Sequence, residues 1–157
     1  MRPLLLILLA GLSLAACQET PADPEAARPE LHPGFGEKFT LHYQQRALLP
    51  AGPAPELTVQ LADVPYSYCP PLECSGNPSL RCFFGSSVGP VFSVTDAQGQ
   101  VQEVRFPLTY APAEHDTVSV RANNQRYQLR YVRWEMLCCN PQRKDISVTL
   151  QLDKAVQ

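Results

Sequence analysis

Apolar residues alternate with polar ones from Glu37 onward, at the spacing of two that is typical of β-strands. The clearest alternations run from Tyr127 to Tyr131 and from Ile146 to Leu152. Shorter ones span Phe39 to Tyr43, Leu57 to Leu61, Phe92 to Val94, Val104 to Leu108 and Val118 to Val120. Each alternation predicts a strand with one face toward an apolar core and the other toward solvent.

Polar or proline-rich breaks separate these alternations and predict turns or loops. They lie at Leu49 to Glu56, Asp96 to Gln100, Ala111 to Asp116 and Asn140 to Lys144. Seven or eight short strands, with no helical periodicity, predict an all-β domain over residues 37–157. We expect an antiparallel β-sandwich, with a small β-barrel as the alternative. Disulfides are expected to stabilise a domain of this size.

The N-terminus has the organisation of an export signal. Met1 and Arg2 give it a positive start, and the run from Pro3 to Leu14 is almost wholly apolar. This run is roughly 12 residues long, whereas a membrane-spanning helix needs about 20. We therefore predict that residues 1–16 are a signal peptide.

Leu14-Ala15-Ala16-Cys17 resembles the lipobox of bacterial lipoproteins. The resemblance implies cleavage before Cys17 and acylation of that cysteine, with palmitate among the chains. Three acyl chains, at about 0.8 kcal/mol per buried methylene, anchor a protein stably to a membrane. Gln18 stands where an aspartate would favour retention at the inner membrane, so the resemblance implies the outer membrane.

Residues 17–36 are rich in proline, alanine and glutamate, and they include Pro21, Pro24, Pro29 and Pro33. Prolines at this spacing do not allow a continuous helix. We predict a lipidated cysteine followed by an extended tether. Membrane contact is expected through the lipid, because the formal net charge of the 157-residue chain is only -2.

The same charge gives no basic face, so we expect no nucleic-acid partner. The sequence lacks a glycine-rich phosphate loop, an H-E-x-x-H motif and a G-x-S-x-G motif. Its three histidines are His32, His42 and His115, and none stands beside a recognisable nucleophile. We therefore expect neither an enzyme nor a cofactor. Four arginines are assigned to a solvated strand face: Arg121, Arg126, Arg130 and Arg133.

Five cysteines remain once Cys17 is acylated: Cys69, Cys74, Cys82, Cys138 and Cys139. In an oxidising compartment we expect them to form disulfides, with one left unpaired. A bond between Cys138 and Cys139 needs a strained ring, so we expect one of the two to reach the 69–82 cluster. The alternative is a thiol site for Cu(I) or Zn built from these five cysteines, with Met136 and His115 as possible extra ligands.

Two segments resemble a core motif of small bacterial β-rich lipoproteins of unknown function, Ser-x-Cys-Pro followed by Cys-aromatic-x-Gly. They are Tyr66-Ser67-Tyr68-Cys69-Pro70 and Leu80-Arg81-Cys82-Phe83-Phe84-Gly85, with Pro71 to Ser79 as an insertion. The resemblance implies an exported β-rich fold and a Cys69 to Cys82 bridge. That bridge leaves Cys74 for Cys138 or Cys139. The family supplies no activity.

Aromatic residues cluster around the cysteine loop and before the cysteine pair. Exposed aromatic side chains are common anchors in binding surfaces. We therefore take Tyr66, Tyr68, Phe83, Phe84 and Trp134 as candidate binding residues for an envelope protein or a glycan. The expected function is a membrane-anchored binding or accessory module, with metal binding, or hydrolase inhibition through Pro70 to Ser79, as alternatives.

Overall fold

The computed structural model describes residues 28–70, 85–111, 116–137 and 139–155. The predicted signal peptide, Cys17 and most of the predicted tether lie outside these ranges. The described residues form ten strands and one short 3-10 helix, Arg143–Asp145. The strands are β1 Lys38–His42, β2 Arg46–Leu49, β3 Leu57–Asp63, β4 Tyr66–Ser67, β5 Ser87–Val88, β6 Val91–Asp96, β7 Val101–Arg105, β8 Thr117–Ala122, β9 Gln125–Met136 and β10 Ile146–Lys154.

Two four-stranded sheets carry most of the fold. Their strand orders are β1-β10-β9-β8 and β2-β3-β6-β7, and β4 pairs with β5 in a separate two-stranded ribbon. The paired strands of both sheets and of the ribbon are antiparallel. Neither sheet closes on itself, so the small barrel is not the arrangement found. The predicted all-β class with antiparallel sheets is confirmed.

One apolar core is shared by the two sheets, and it follows from the alternation in the sequence. Leu41, Leu129 and Leu150 come from the first sheet, and Val59 and Phe92 come from the second. All five side chains are fully buried. Burial of each such side chain stabilises the fold by roughly 2 kcal/mol, before the entropy of ordering is subtracted.

The alternation did not reveal strand β2. Arg46–Leu49 is short and ends in two adjacent leucines, which obscure the period of two. It follows a turn in which Gln44 has a positive φ of 63°. The loop expected to begin at Leu49 therefore begins one residue later, at Pro50.

The alternation from Val104 to Leu108 predicted a strand that continues beyond its observed end. β7 ends at Arg105, before Phe106 and Leu108. Phe106 is still buried, and its ring packs against Phe92 and Tyr131 with centroids 5.9 and 5.3 Å apart. Leu108 is instead 58% exposed.

Part of the predicted tether belongs to the folded body. The amide of Leu31 donates to the carbonyl of Arg46 at 3.0 Å, and the amide of Leu48 donates to the carbonyl of Leu31 at 2.8 Å. Further along, the ring of Phe35 stacks on that of Tyr127, with centroids 5.6 Å apart. The ordered body therefore begins before Glu37, although the prolines of this segment favoured a spacer.

Strand β9 spans the length of the body. It has 12 residues, which at about 3.3 Å per residue gives about 36 Å between its first and last Cα atoms. We call the end where β9 begins the Arg121 end, because the β8–β9 turn follows Arg121 there. The opposite end holds Tyr66 and Cys139, and we call it the Tyr66 end. In the part of the chain that the structure describes, no helix is long and apolar enough to cross a membrane.

Candidate functional site

Two of the predicted binding residues meet the segment after the cysteine pair. The hydroxyl of Tyr66 donates to the backbone carbonyl of Pro141 at 2.7 Å. The hydroxyl of Tyr68 donates to the backbone carbonyl of Cys139 at 2.9 Å. The fold thus brings together the two regions that carry the cysteines.

The short ribbon of β4 and β5 fixes the position of these tyrosines. Tyr66 pairs with Val88, and the hydroxyls of Ser67 and Ser87 lie 2.7 Å apart. The amide of Cys69 donates to the hydroxyl of Ser86 at 3.0 Å. A side chain held at both its backbone and its tip loses little further freedom on binding, so the ribbon preorganises the surface.

Exposed apolar side chains occur on the chain segments that adjoin these tyrosines. Val88 forms an isolated bridge with Thr109, which places Leu108 and Tyr110 next to the ribbon. Leu137 follows the end of β9 and donates its amide to the carbonyl of Asp145 at 3.4 Å. The exposed fractions are 58% for Leu108, 54% for Tyr110 and 73% for Leu137. We call Tyr66, Tyr68, Leu108, Tyr110 and Leu137 the aromatic face.

The remaining predicted binding residues have other placements. Trp134 is half-buried and packs against the core, as Tyr66 also does, so both rings contribute to packing. Phe83 and Phe84 lie outside the described residues, as does all of the loop Pro70 to Ser79 except Pro70. Sequence reasoning did not select Leu137 or Tyr110. Their exposure depends on where β9 and the segment after β7 end, which alternation alone did not define.

The described cysteines are Cys69 and Cys139, and each has a further interaction partner. Cys74, Cys82 and Cys138 lie outside the described residues, as does His115. Met136, the other possible extra ligand, packs against the core. Within the described ranges, no three His, Cys, Asp or Glu side chains are grouped as a metal site requires.

The two described histidines are His32 and His42. His32 is exposed, and His42 is half-buried on β1. Burial lowers the pKa of His42 below its usual value, and the positive charge of Arg28 lowers it further. The imidazole of His42 therefore stays neutral to a lower pH than the imidazole of a free histidine does.

The chain matches no family model, no curated protein and no solved structure. The fold defines an all-β protein of open antiparallel sheets, and the functional argument depends on its surfaces.

The first prediction concerns the hydroxyl of Tyr66. We expect Tyr66→Phe to lower the free energy of unfolding by about 1 kcal/mol, because it removes a part-buried hydrogen bond and leaves a carbonyl without its donor. Tyr68→Phe is the matched control, since its hydrogen bond is exposed. Urea unfolding of both variants measures the difference. Equal decreases in the free energy of unfolding would show that the part-buried hydrogen bond of Tyr66 stabilises the fold no more than the exposed hydrogen bond of Tyr68 does.

Proposed function

We propose that the protein is a lipid-anchored, non-enzymatic binding module of the outer membrane that docks an envelope protein through its aromatic face. One observation carries the proposal. Of the four large exposed apolar side chains among the described residues, three lie at the Tyr66 end, on segments that adjoin two tyrosines fixed by hydrogen bonds. The fourth, Val101, lies at the Arg121 end.

The composition of the face favours a protein over a glycan. Leu108 and Leu137 offer aliphatic surface without polar atoms, and the tyrosines add aromatic area with little rotamer entropy to lose. Energetic anchors of protein interfaces are typically aromatic side chains packed against apolar neighbours. A glycan surface would need more hydrogen-bonding groups than this face offers.

Disulfides that hold the Tyr66 end together are part of the proposal. They are supported by the two described cysteines, Cys69 and Cys139, whose sulfur atoms are assigned to disulfides. Because a bond from Cys139 to its neighbour Cys138 needs a strained ring, we assign Cys139 a partner in the 69–82 cluster. The family resemblance favours Cys69 with Cys82 and therefore Cys74 with Cys139. Two thiols engaged in this way argue against the metal-binding alternative.

The lipid anchor rests on Leu14-Ala15-Ala16-Cys17 and is tested by changing the cysteine. We expect the native chain to incorporate radiolabelled palmitate and to sediment with outer membranes. Cys17→Ser is expected to abolish labelling and to leave the chain uncleaved at this site. Labelling that survives in Cys17→Ser would overturn the assignment of the anchor.

The docking surface is tested by photo-crosslinking in intact cells. A photoreactive residue at position 137 is expected to give one discrete protein adduct. The same residue at position 101 is expected to give none, although Val101 is 66% exposed. A second substitution, Tyr110→Asp, is expected to remove the adduct, whereas Val101→Asp is expected to leave it.

The outcomes separate the proposal from its alternatives. Adducts from position 101 as strong as those from position 137 would mean that the aromatic face is not a selective surface. An adduct that survives Tyr110→Asp would place the contact outside this face. The native fold of each variant is checked by its thermal unfolding before crosslinking.

A further inference from the structure

A polar cleft of about 770 Å³ opens at the Arg121 end, far from the aromatic face. It lies between the β6–β7 turn and the β8–β9 turn. Its lining residues are two arginines, three glutamines, two asparagines, one aspartate and one alanine. Its volume falls within the range of small-molecule sites in proteins, but its lining is far more polar than most.

The two arginines of the cleft are Arg121 and Arg126, and they lie directly opposite each other on β8 and β9. The turn between these strands fixes this register through Asn123 and Asn124, whose φ angles are 52° and 58°. Asparagine adopts this left-handed conformation more readily than most residues. Like charges at directly opposed positions destabilise an antiparallel pair. The hairpin therefore places two arginines side by side on one face of the sheet, at a cost to its own stability.

Neither arginine forms an ion pair with another residue in the part of the chain that the structure describes. The ion pairs among the described residues involve Arg105, Arg133, Arg143 and Lys154. Asp96 is the carboxylate of the cleft, and its Oδ1 atom already accepts the amides of Gln98 and Gln100 at 2.9 and 2.8 Å. The cleft thus has excess positive charge and guanidinium donors available to an anion.

The amides add a second kind of recognition. Gln98 and Gln100 lie on one wall of the cleft, and Asn124 and Gln125 lie on the other. Each amide offers both a donor and an acceptor, which suits hydroxyl groups. A ligand that satisfies both features carries an anionic group for the arginines and several hydroxyls for the amides.

We infer that this cleft binds an acidic saccharide. A carboxylate of the sugar lies between the guanidinium groups of Arg121 and Arg126, because their planar forks match carboxylate geometry. Neighbouring hydroxyls bond the amides of the two turns. The inference does not depend on the aromatic face, which lies at the other end of β9.

The test uses the full-length lipidated protein in detergent micelles and three probes. Trigalacturonate supplies carboxylates and hydroxyls, maltotriose supplies hydroxyls alone, and inorganic phosphate supplies charge alone. We expect calorimetry to detect trigalacturonate, to show affinity at least tenfold weaker for the other two, and to show weakening by added salt.

Variants locate the site. Arg121→Gln and Arg126→Gln are each expected to weaken trigalacturonate binding at least tenfold while leaving the thermal midpoint unchanged or higher, because the opposed charges are gone. Arg105→Gln is the matched control, since Arg105 is exposed and paired with Glu103 near the other end of β7. It is expected to bind normally.

Three results would overturn the inference. If maltotriose bound as tightly as trigalacturonate, the arginines would have no role in recognition. If phosphate bound as tightly as trigalacturonate, the cleft would be a simple anion site. Trigalacturonate binding that is absent, or unaffected by both arginine variants, would exclude this cleft. None of these results bears on crosslinking through Leu137, so the two proposals can fail separately.

Discussion

Cys139→Ser is expected to lower the free energy of unfolding by about 4 kcal/mol, the largest effect of any single substitution considered. The proposed bridge from Cys139 to Cys74 closes a loop of roughly half of the domain at residues 37–157. Such a cross-link restricts the unfolded chain strongly, and the chain-entropy model gives a loop of this length roughly 4 kcal/mol. Guanidinium unfolding of the oxidised proteins measures the difference.

Cys138→Ser is the matched control, because it changes the adjacent cysteine and leaves the proposed bridge intact. It is expected to alter stability by less than about 1 kcal/mol. Reduction with dithiothreitol should bring the native chain to or below the stability of Cys139→Ser. If Cys138→Ser were the more damaging variant, the long-range bridge would have to be reassigned to Cys138.

Alkaline pH is expected to destabilise the protein through its buried tyrosines. Burial raises the pKa of Tyr131 above its usual value, and the negative charge of Asp116 raises it further. Burial is also the main cause of the raised pKa of Tyr127. Above the unfolded-state pKa of about 10, the unfolded chain releases a proton that the native Tyr131 keeps. The free energy of unfolding therefore falls by about 1.4 kcal/mol per pH unit from Tyr131 alone.

The contribution of Tyr131 is full below about pH 10 and is lost progressively above it. Urea unfolding between pH 9 and about pH 12 measures the slope. Tyr131→Phe is expected to reduce that slope by about 1.4 kcal/mol per pH unit. A slope that is the same in Tyr131→Phe and the native chain would contradict the assignment.

The sequence predicted strands most reliably where alternation runs long. Ile146 to Leu152 lies within β10, and Tyr127 to Tyr131 lies within β9. Alternation failed where few residues define it, as at Arg46–Leu49, whose strand character comes from pairing with Leu57–Gln60 of β3. Such tertiary pairing is not encoded in the local period.

The candidate site was only partly predictable for a similar reason. Residue type marked Tyr66 and Tyr68 as possible anchors, but their partners, Pro141 and Cys139, lie more than 70 positions away in the chain. The arginines were assigned to a solvated strand face. The opposition of Arg121 and Arg126 emerges only when the two-residue turn sets the hairpin register. The number of residues between two arginines does not show whether they will face each other across a hairpin or will each face an acidic residue.

The first described residues give the body an orientation. The side-chain amide of Gln45 donates to the carbonyl of Pro29 at 2.8 Å, and the charge of Arg28 acts on His42. His42 pairs with Ser147 near the start of β10, so the chain enters the body toward the Tyr66 end. On the proposed lipid-anchored molecule, the point at which the tether joins the body lies nearer to the aromatic face than to the arginine cleft. In that arrangement the two proposed sites lie at opposite ends of the body, one beside the point of attachment and one away from it.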